Sequence, residues 1–165
     1  MNKIIIKNGR VIDPASNTDG AFDVVIENTK IGDIVPRGSL SVANAQTIDA
    51  TNMIVAPGFV DLHCHLREPG FEYKETIESG TAAAVAGGFT SVCCMANTSP
   101  VNDNATVAEF ILKKARETGH CHVYPIGAIT KGLNGEELAS IAELRDCGCV
   151  AISDDGNTIQ NAQLM

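Results

Sequence analysis

The sequence predicts an α/β protein in which a small β module precedes a parallel sheet flanked by helices. Residues 2–56 contain short apolar runs separated by turn dipeptides such as Asn8-Gly9, which is typical of a small β-sheet. After Pro57-Gly58, apolar strands alternate with helical segments. This alternation favours a parallel sheet with right-handed crossovers. The strand–helix units are compatible with a doubly wound sheet or with half of an eight-stranded barrel.

Five short runs predict the strands of the β module, at residues 4–6, 11–12, 22–26, 30–34 and 47–50. A sheet of this size is marginally stable by itself. Four longer apolar runs predict the strands of the second part, at 59–65, 89–95, 123–129 and 149–153. Helices are predicted at 73–86, 105–117 and 135–147, each followed by glycine, and a fourth helix is expected to begin at 161–165. The predicted domains are therefore residues 1–56 and 57–165.

Composition restricts the possible partners and the cellular compartment. The chain has 12 Lys and Arg against 20 Asp and Glu, a net charge of -8, which disfavours nucleic acid and anionic membranes as partners. No apolar stretch approaches the ~20 residues of a membrane span, and no signal-peptide pattern is expected at the N-terminus. The six cysteines lie mostly in apolar runs, which predicts reduced thiols and a cytoplasmic protein. For Cys147-Gly148-Cys149, a redox pair or a metal-binding pair is the alternative.

His63-Cys64-His65 is the strongest candidate for chemistry. Side chains two residues apart on a strand point to the same face, so both imidazoles can bind one metal such as zinc. They follow the apolar residues of their strand and so occupy its C-terminal end, where α/β enzymes place their active sites. Alternation predicts that Phe59 and Asp61 share the face of the histidines.

His120-Cys121-His122 has the same spacing but precedes the apolar run of its strand. It is expected at the N-terminal end, away from the active site, where a pair of structural histidines is the better interpretation. The position on the strand, rather than the spacing, distinguishes the two motifs.

Ser153-Asp154-Asp155-Gly156 ends the fourth strand. Large apolar residues should face the helices, so Ala151, Ser153 and Asp155 are predicted to face the opposite side. Asp155 is therefore the preferred metal ligand, and Asp154 is better suited to capping a helix or turn.

Two further polar side chains follow the strands. Arg67 comes directly after the histidines, and its planar guanidinium suits bidentate binding of a carboxylate. Asn97 ends the second strand of this part and can either bind substrate or begin a turn.

Together these residues resemble the amidohydrolase superfamily, and most closely the class I dihydroorotases. Four segments carry the resemblance: residues 57–70, Lys74-Glu75-Thr76, Asn97-Thr98 and Ser153-Asp154-Asp155-Gly156. It implies a (β/α)₈ barrel with a small β-sandwich, of which this chain is the β-sandwich strands and the first half of the barrel. One departure is Ala96, which stands where the family commonly has Pro.

The resemblance also implies roles for single residues. His63, His65 and Asp155 would bind one or two zinc ions, and His65, Arg67 and Asn97 would bind the substrate. The implied reaction is the reversible, zinc-dependent hydrolysis of L-dihydroorotate to N-carbamoyl-L-aspartate in pyrimidine biosynthesis. The acid–base Asp and further His ligands are expected beyond Met165, so residues 1–165 alone are expected to be inactive. The full-length protein is a possible homodimer.

Two alternatives stay open at this stage. Hydantoinase-like and allantoinase-like enzymes share His-x-His, but typically lack an Arg at position 67 and use a Lys where Asp155 stands. A non-catalytic dihydroorotase-like structural partner would be expected to have lost its metal ligands, whereas His63, His65 and Asp155 are intact.

Overall fold

The computed structural model describes residues 3–40 and 45–165 of the chain. The chain forms two compact units, Met1–Pro57 and Gly58–Met165. Residues 1–2 and 41–44, which belong to the predicted β module, lie outside the described residues.

The first unit is a six-stranded sheet arranged around its longest strand. The strands are β1 (Lys3–Lys7), β2 (Arg10–Asp13), β3 (Thr18–Glu27), β4 (Lys30–Pro36), β5 (Gln46–Asp49) and β6 (Ile54–Val55). The first half of β3 pairs with β2 and its second half with β1, while β4 pairs with β3 as well. The core contains Ile5, Val11, Val24 and Val25, all buried. Four of the five predicted runs lie within strands, the run 47–50 extends one residue beyond β5, and β6 is an addition.

The second unit is a four-stranded parallel sheet with helices after its first three strands. Its elements are β7 (Phe59–Cys64), α1 (Ile77–Ala86), β8 (Phe89–Cys94), α2 (Ala105–Thr118), β9 (His122–Gly127), α3 (Ile141–Cys147) and β10 (Ala151–Ile152). The strands lie side by side in chain order, β7-β8-β9-β10. A doubly wound sheet reverses its strand order, whereas a barrel adds strands in one direction. The predicted first half of a barrel is therefore confirmed.

The two faces of this sheet carry different clusters. Val92, Cys94 and Val123 face the helices and pack with buried residues that include Ile77 of α1 and Ile111 of α2. The opposite face carries a smaller cluster of Cys93, Met95 and Ile126. Strand β7 lies at the edge of the sheet and leaves Leu62 71% exposed. The larger core therefore lies between the helices and strands β7, β8 and β9.

Three predicted helices differ from those observed. Helix α1 begins at Ile77 rather than at residue 73, because Thr76 caps it and Ser79 completes a capping box. Helix α3 begins at Ile141 rather than 135, because residues 131–138 form a loop in which Lys131 N–H donates to Glu137 O at 2.8 Å. Residues 161–165 form a turn rather than a fourth helix. No described helix is long and apolar enough to cross a membrane.

Candidate metal centre

The pairing of β7 with β8 is irregular between Asp61 and Cys64. Asp61 pairs with Val92 and Cys64 with Cys94, so β7 uses one residue more than β8 over this interval. Such a bulge interrupts the alternation of faces. Because paired residues share a face, Asp61 and Cys64 both lie on the helix side with Val92 and Cys94. The prediction that Asp61 shares the face of the histidines is therefore wrong.

His63, His65 and Asp155 meet at the C-terminal ends of β7 and β10. His63 Nε2 lies 3.3 Å from Asp155 Oδ1, and His65 Nε2 lies 3.6 Å from Asp155 Oδ2. All three residues offer a ligand atom within 4.8 Å of the others. Two imidazole nitrogens and a carboxylate oxygen are a common donor set for zinc, and three protein ligands leave one position open. These three side chains therefore form a group that could hold a metal ion.

The hydrogen bond made by His65 supports the same arrangement. His65 Nδ1 lies 2.9 Å from Asn97 Oδ1. An amide oxygen only accepts, so Nδ1 carries the proton and Nε2 presents its lone pair towards Asp155. Metal-binding histidines are commonly oriented by such a partner on the other ring nitrogen. Asn97 Nδ2 also approaches Asp155 Oδ2, at 3.4 Å.

Cys64 stands between the two histidines in sequence but does not join them. Burial, and then the carboxylate of Asp61, raise the pKa of the Cys64 thiol to about 12. The thiol packs against the core between the sheet and the helices. Because the thiol lies against this core, away from the group formed by His63, His65 and Asp155, Cys64 is not a candidate ligand.

Asp154 and Asp155 point in different directions, as the sequence suggested. Asp154 is buried and accepts the backbone N–H groups of Ile129 and Thr130 at 2.8 and 3.0 Å. The Thr130 hydroxyl donates to its second oxygen. Asp154 therefore ties the loop after β9 to the end of β10, and Asp155 is left at the metal centre.

Arg67 lies on the loop between β7 and α1, close in sequence to the ligands. Its side chain is half-buried and forms no ion pair with any residue in 3–40 or 45–165. Sequence reasoning missed its neighbour Glu68, which is 6% exposed. No local pattern marks this glutamate, because its partners Ile77 and Lys114 lie on later helices.

The second His-x-His pair lies at the opposite end of the sheet. His122 begins β9, and His120 donates its backbone N–H to Thr81 Oγ1 at 3.0 Å. In the part of the chain that the structure describes, neither imidazole belongs to a metal-competent group.

Comparisons with known proteins agree on one family. The profile of the family described as dihydro-orotase-like matches residues 52–165. Proteins called dihydroorotase from Solibacter usitatus and Aquifex aeolicus are 59% and 50% identical to the chain. The alignments cover 98% and 100% of the chain but only 37% and 39% of those proteins, so the chain spans less than two fifths of their length.

Solved structures of related enzymes share the fold. An L-hydantoinase (dihydropyrimidinase) from Arthrobacter aurescens superposes with a TM-score of 0.78 at 25% identity, over 92% of this chain and 32% of that one. A dihydropyrimidinase from Brevibacillus agri superposes with a TM-score of 0.65 at 31% identity, over 78% and 27%.

Proposed function

The chain belongs to the dihydro-orotase-like family, and from this premise we propose that the whole protein is a dihydroorotase. It would catalyse the reversible hydrolysis of L-dihydroorotate to N-carbamoyl-L-aspartate, a step of pyrimidine biosynthesis. The observation that supports this most directly is the convergence of His63, His65 and Asp155 within 4.8 Å. On the adjoining loop, Arg67 forms no ion pair with a residue that the structure describes.

We propose that His63 Nε2, His65 Nε2 and the Asp155 carboxylate hold zinc, as one ion or as part of a pair. When bound, zinc lowers the pKa of water towards neutrality and polarises a carbonyl oxygen. Asn97 Oδ1 accepts a hydrogen bond from His65 Nδ1 at 2.9 Å. This bond leaves Nε2 as the nitrogen that would bind the metal. The chain's own residues thus orient the ligands before substrate arrives.

Arg67, Asn97 and His65 are the proposed contacts for substrate. Dihydroorotate carries a carboxylate, and a guanidinium without a protein partner can bind both its oxygens. The second amide contact of Asn97 is long, 3.4 Å from Asp155 Oδ2, so Nδ2 can turn to a substrate oxygen. We place the acid–base Asp and the remaining ligands in the part of the whole protein that this chain does not cover.

The proposal also covers the domains, the partner, the oligomeric state and the compartment. Residues 1–56 would form the β-sandwich strands and 57–165 the first four strand–helix units of the barrel. The partner is a small carboxylate substrate, rather than nucleic acid or membrane, and the whole protein is proposed to be a cytoplasmic homodimer. All six cysteines are free thiols, which suits a reducing compartment.

The substrate assignment is tested by measuring how fast the whole protein hydrolyses three cyclic compounds: L-dihydroorotate, dihydrouracil and allantoin. We expect turnover of L-dihydroorotate and little of dihydrouracil or allantoin, because only the first has a carboxylate for Arg67. Faster turnover of the uncharged rings would instead support the hydantoinase or allantoinase alternative, which the hydantoinase-like structures make the strongest competitor. No turnover of any ring would favour a non-catalytic partner. Residues 1–165 alone are expected to show no activity.

The metal assignment has a matched control inside the chain. His63→Ala should lose most of the zinc measured by elemental analysis of purified whole protein. His122→Ala removes an imidazole from the same motif at the other end of the sheet and should retain it. Equal zinc in both variants would exclude His63 as a ligand.

A further inference from the structure

Arg67 adopts a backbone conformation that it would not choose by itself. Its φ is +56°, in the left-handed region that residues other than Gly and Asn seldom occupy. The N–H of Glu68 closes a three-residue turn around Arg67 by donating to Leu66 O at 2.6 Å. Such conformations persist only where the surroundings impose them.

Glu68 is the part of those surroundings that reaches the helices. Its Oε2 accepts the backbone N–H of Ile77, the first residue of α1, at 2.8 Å. Its Oε1 lies 3.5 Å from Lys114 Nζ on α2. A buried carboxylate with both oxygens occupied is fixed in place, because releasing it would leave a charge without partners. On the other side of the turn, Leu66 is anchored in the core.

The same two partners keep Glu68 away from Arg67. A glutamate adjacent to an arginine is a natural counter-ion for its guanidinium. Here the carboxylate is occupied by Ile77 and Lys114, and Arg67 makes no ion pair with a described residue. The guanidinium therefore stays available for an external carboxylate.

The following residues join this loop to the one that carries Asn97. Ser99 N–H donates to Pro69 O at 3.0 Å. Gly70 approaches so closely that an added Cβ would lie 2.0 Å from Ser99 O. The two proposed carboxylate contacts, Arg67 and Asn97, thus sit on loops that are packed together.

We propose that Glu68 is a positioning residue for carboxylate recognition: tied to α1 and Lys114, it holds Arg67 in its left-handed turn and leaves the guanidinium unpaired. This inference rests on the proposed function, since it assumes that Arg67 binds the substrate carboxylate.

The test uses whole protein and orotate, a non-hydrolysed ring with the same carboxylate, bound in a calorimeter. Glu68→Gln keeps an acceptor for Ile77 but loses the pair with Lys114, and should raise the Kd of orotate about tenfold, the scale of one charge-assisted hydrogen bond. Lys114→Met should act in the same direction. Lys113→Met is the control, because the side chain of Lys113 is exposed and pairs with Glu117 rather than Glu68. It should leave the Kd unchanged. Zinc content should be the same in all of them.

A double-mutant cycle separates positioning from general stability. If Glu68 acts through Arg67, Glu68→Gln should change the Kd less than about twofold in an Arg67→Met background. Equal effects in both backgrounds, or a lowered Tm with an unchanged Kd, would overturn the proposal. Should Glu68→Gln fail to fold, Lys114→Met in the two backgrounds decides the question. If Arg67→Met alone leaves orotate binding intact, it is the proposed function that fails.

Discussion

Asn97 Oδ1 lies 2.9 Å from His65 Nδ1, and the same amide reaches Asp155 through Nδ2 at 3.4 Å. One side chain therefore contacts two of the proposed metal ligands, His65 directly after β7 and Asp155 after β10. The sequence predicted that Asn97 binds the substrate. The geometry gives Asn97 a second proposed role, which is to orient these two side chains.

Replacing Asn97 should accordingly weaken metal binding. In Asn97→Ala, His65 Nδ1 loses its acceptor, so both the tautomer and the ring orientation become free. Loss of such a partner typically costs about 10–100-fold in metal affinity. The measurement is zinc affinity of the whole protein in a competition titration with a chromogenic chelator.

Asn97→Asp provides the comparison, because its carboxylate still accepts from Nδ1. It should keep more zinc affinity than Asn97→Ala. If Asn97→Ala binds zinc as tightly as the native protein, Asn97 does not orient His65.

The adjacent carboxylates Asp154 and Asp155 should separate stability from metal binding. In Asp154→Ala the N–H groups of Ile129 and Thr130 lose their acceptor in a buried place. Each unsatisfied group costs about 1–3 kcal/mol, so the Tm should fall while the zinc site is disturbed less. Asp155→Ala removes a proposed ligand that is 23% exposed, and should lose zinc with a smaller change in the Tm of the metal-free protein. Calorimetric scans of metal-free samples, with zinc analysis, measure both effects. A larger Tm loss in Asp155→Ala would reverse the assignment.

Much of the fold was predictable because it follows from local patterns. The alternation of strands and helices after Pro57-Gly58 predicted the parallel sheet of β7 to β10. Helix ends marked by glycine were placed well, as at Gly119 after α2. The starts of α1 and α3 were predicted too early. The capping box of Thr76 and Ser79 begins α1 at Ile77, and Glu68 accepts the N–H of this first residue. The hydrogen bond from Lys131 N–H to Glu137 O closes a loop before α3.

The candidate site was predictable up to the point where long-range contacts decide it. The alternation of faces and the position at the strand end predicted that Asp155 would lie beside the histidines, and Asp155 does lie within 3.6 Å of both. The face predicted for Asp61 was wrong, because the bulge in β7 depends on how this strand pairs with β8. The pattern of apolar residues along β7 does not indicate it. The burial of Glu68 was equally inaccessible, since Lys114 lies on another helix.

Gly70 should tolerate no side chain, for two reasons that can be separated. Its φ is +97°, and a Cβ there would lie 2.0 Å from the backbone oxygen of Ser99. Gly38 also has a positive φ, +78°, but no atom of residues 3–40 or 45–165 lies within 4 Å of its Cβ position. Gly38→Ala should therefore cost only the conformational penalty of about 1 kcal/mol, whereas Gly70→Ala adds the displacement of a packed loop. Tm values of the two variants measure the difference. A similar fall in Tm for both variants would mean that the loop of Ser99 moves aside without loss of stability.

Cys94 should make stability fall at alkaline pH. Burial raises the pKa of its thiol above the ordinary value of 9.0, so the folded chain holds the proton longer than the unfolded chain does. Below pH 9 both states keep the thiol and its contribution is constant. Above pH 9 the unfolded state ionises first, and stability falls by at most about 1.4 kcal/mol per pH unit for this one group.

The Tm of native whole protein should therefore decline more steeply between pH 8.5 and 10.5 than that of Cys94→Ala, although the variant starts lower because it leaves a cavity in the core. Cys147→Ala is the matched control, since that thiol is less buried, and its decline should stay close to the native one. Parallel declines in the native protein and Cys94→Ala would show that the Cys94 thiol ionises as readily in the folded chain as in the unfolded one.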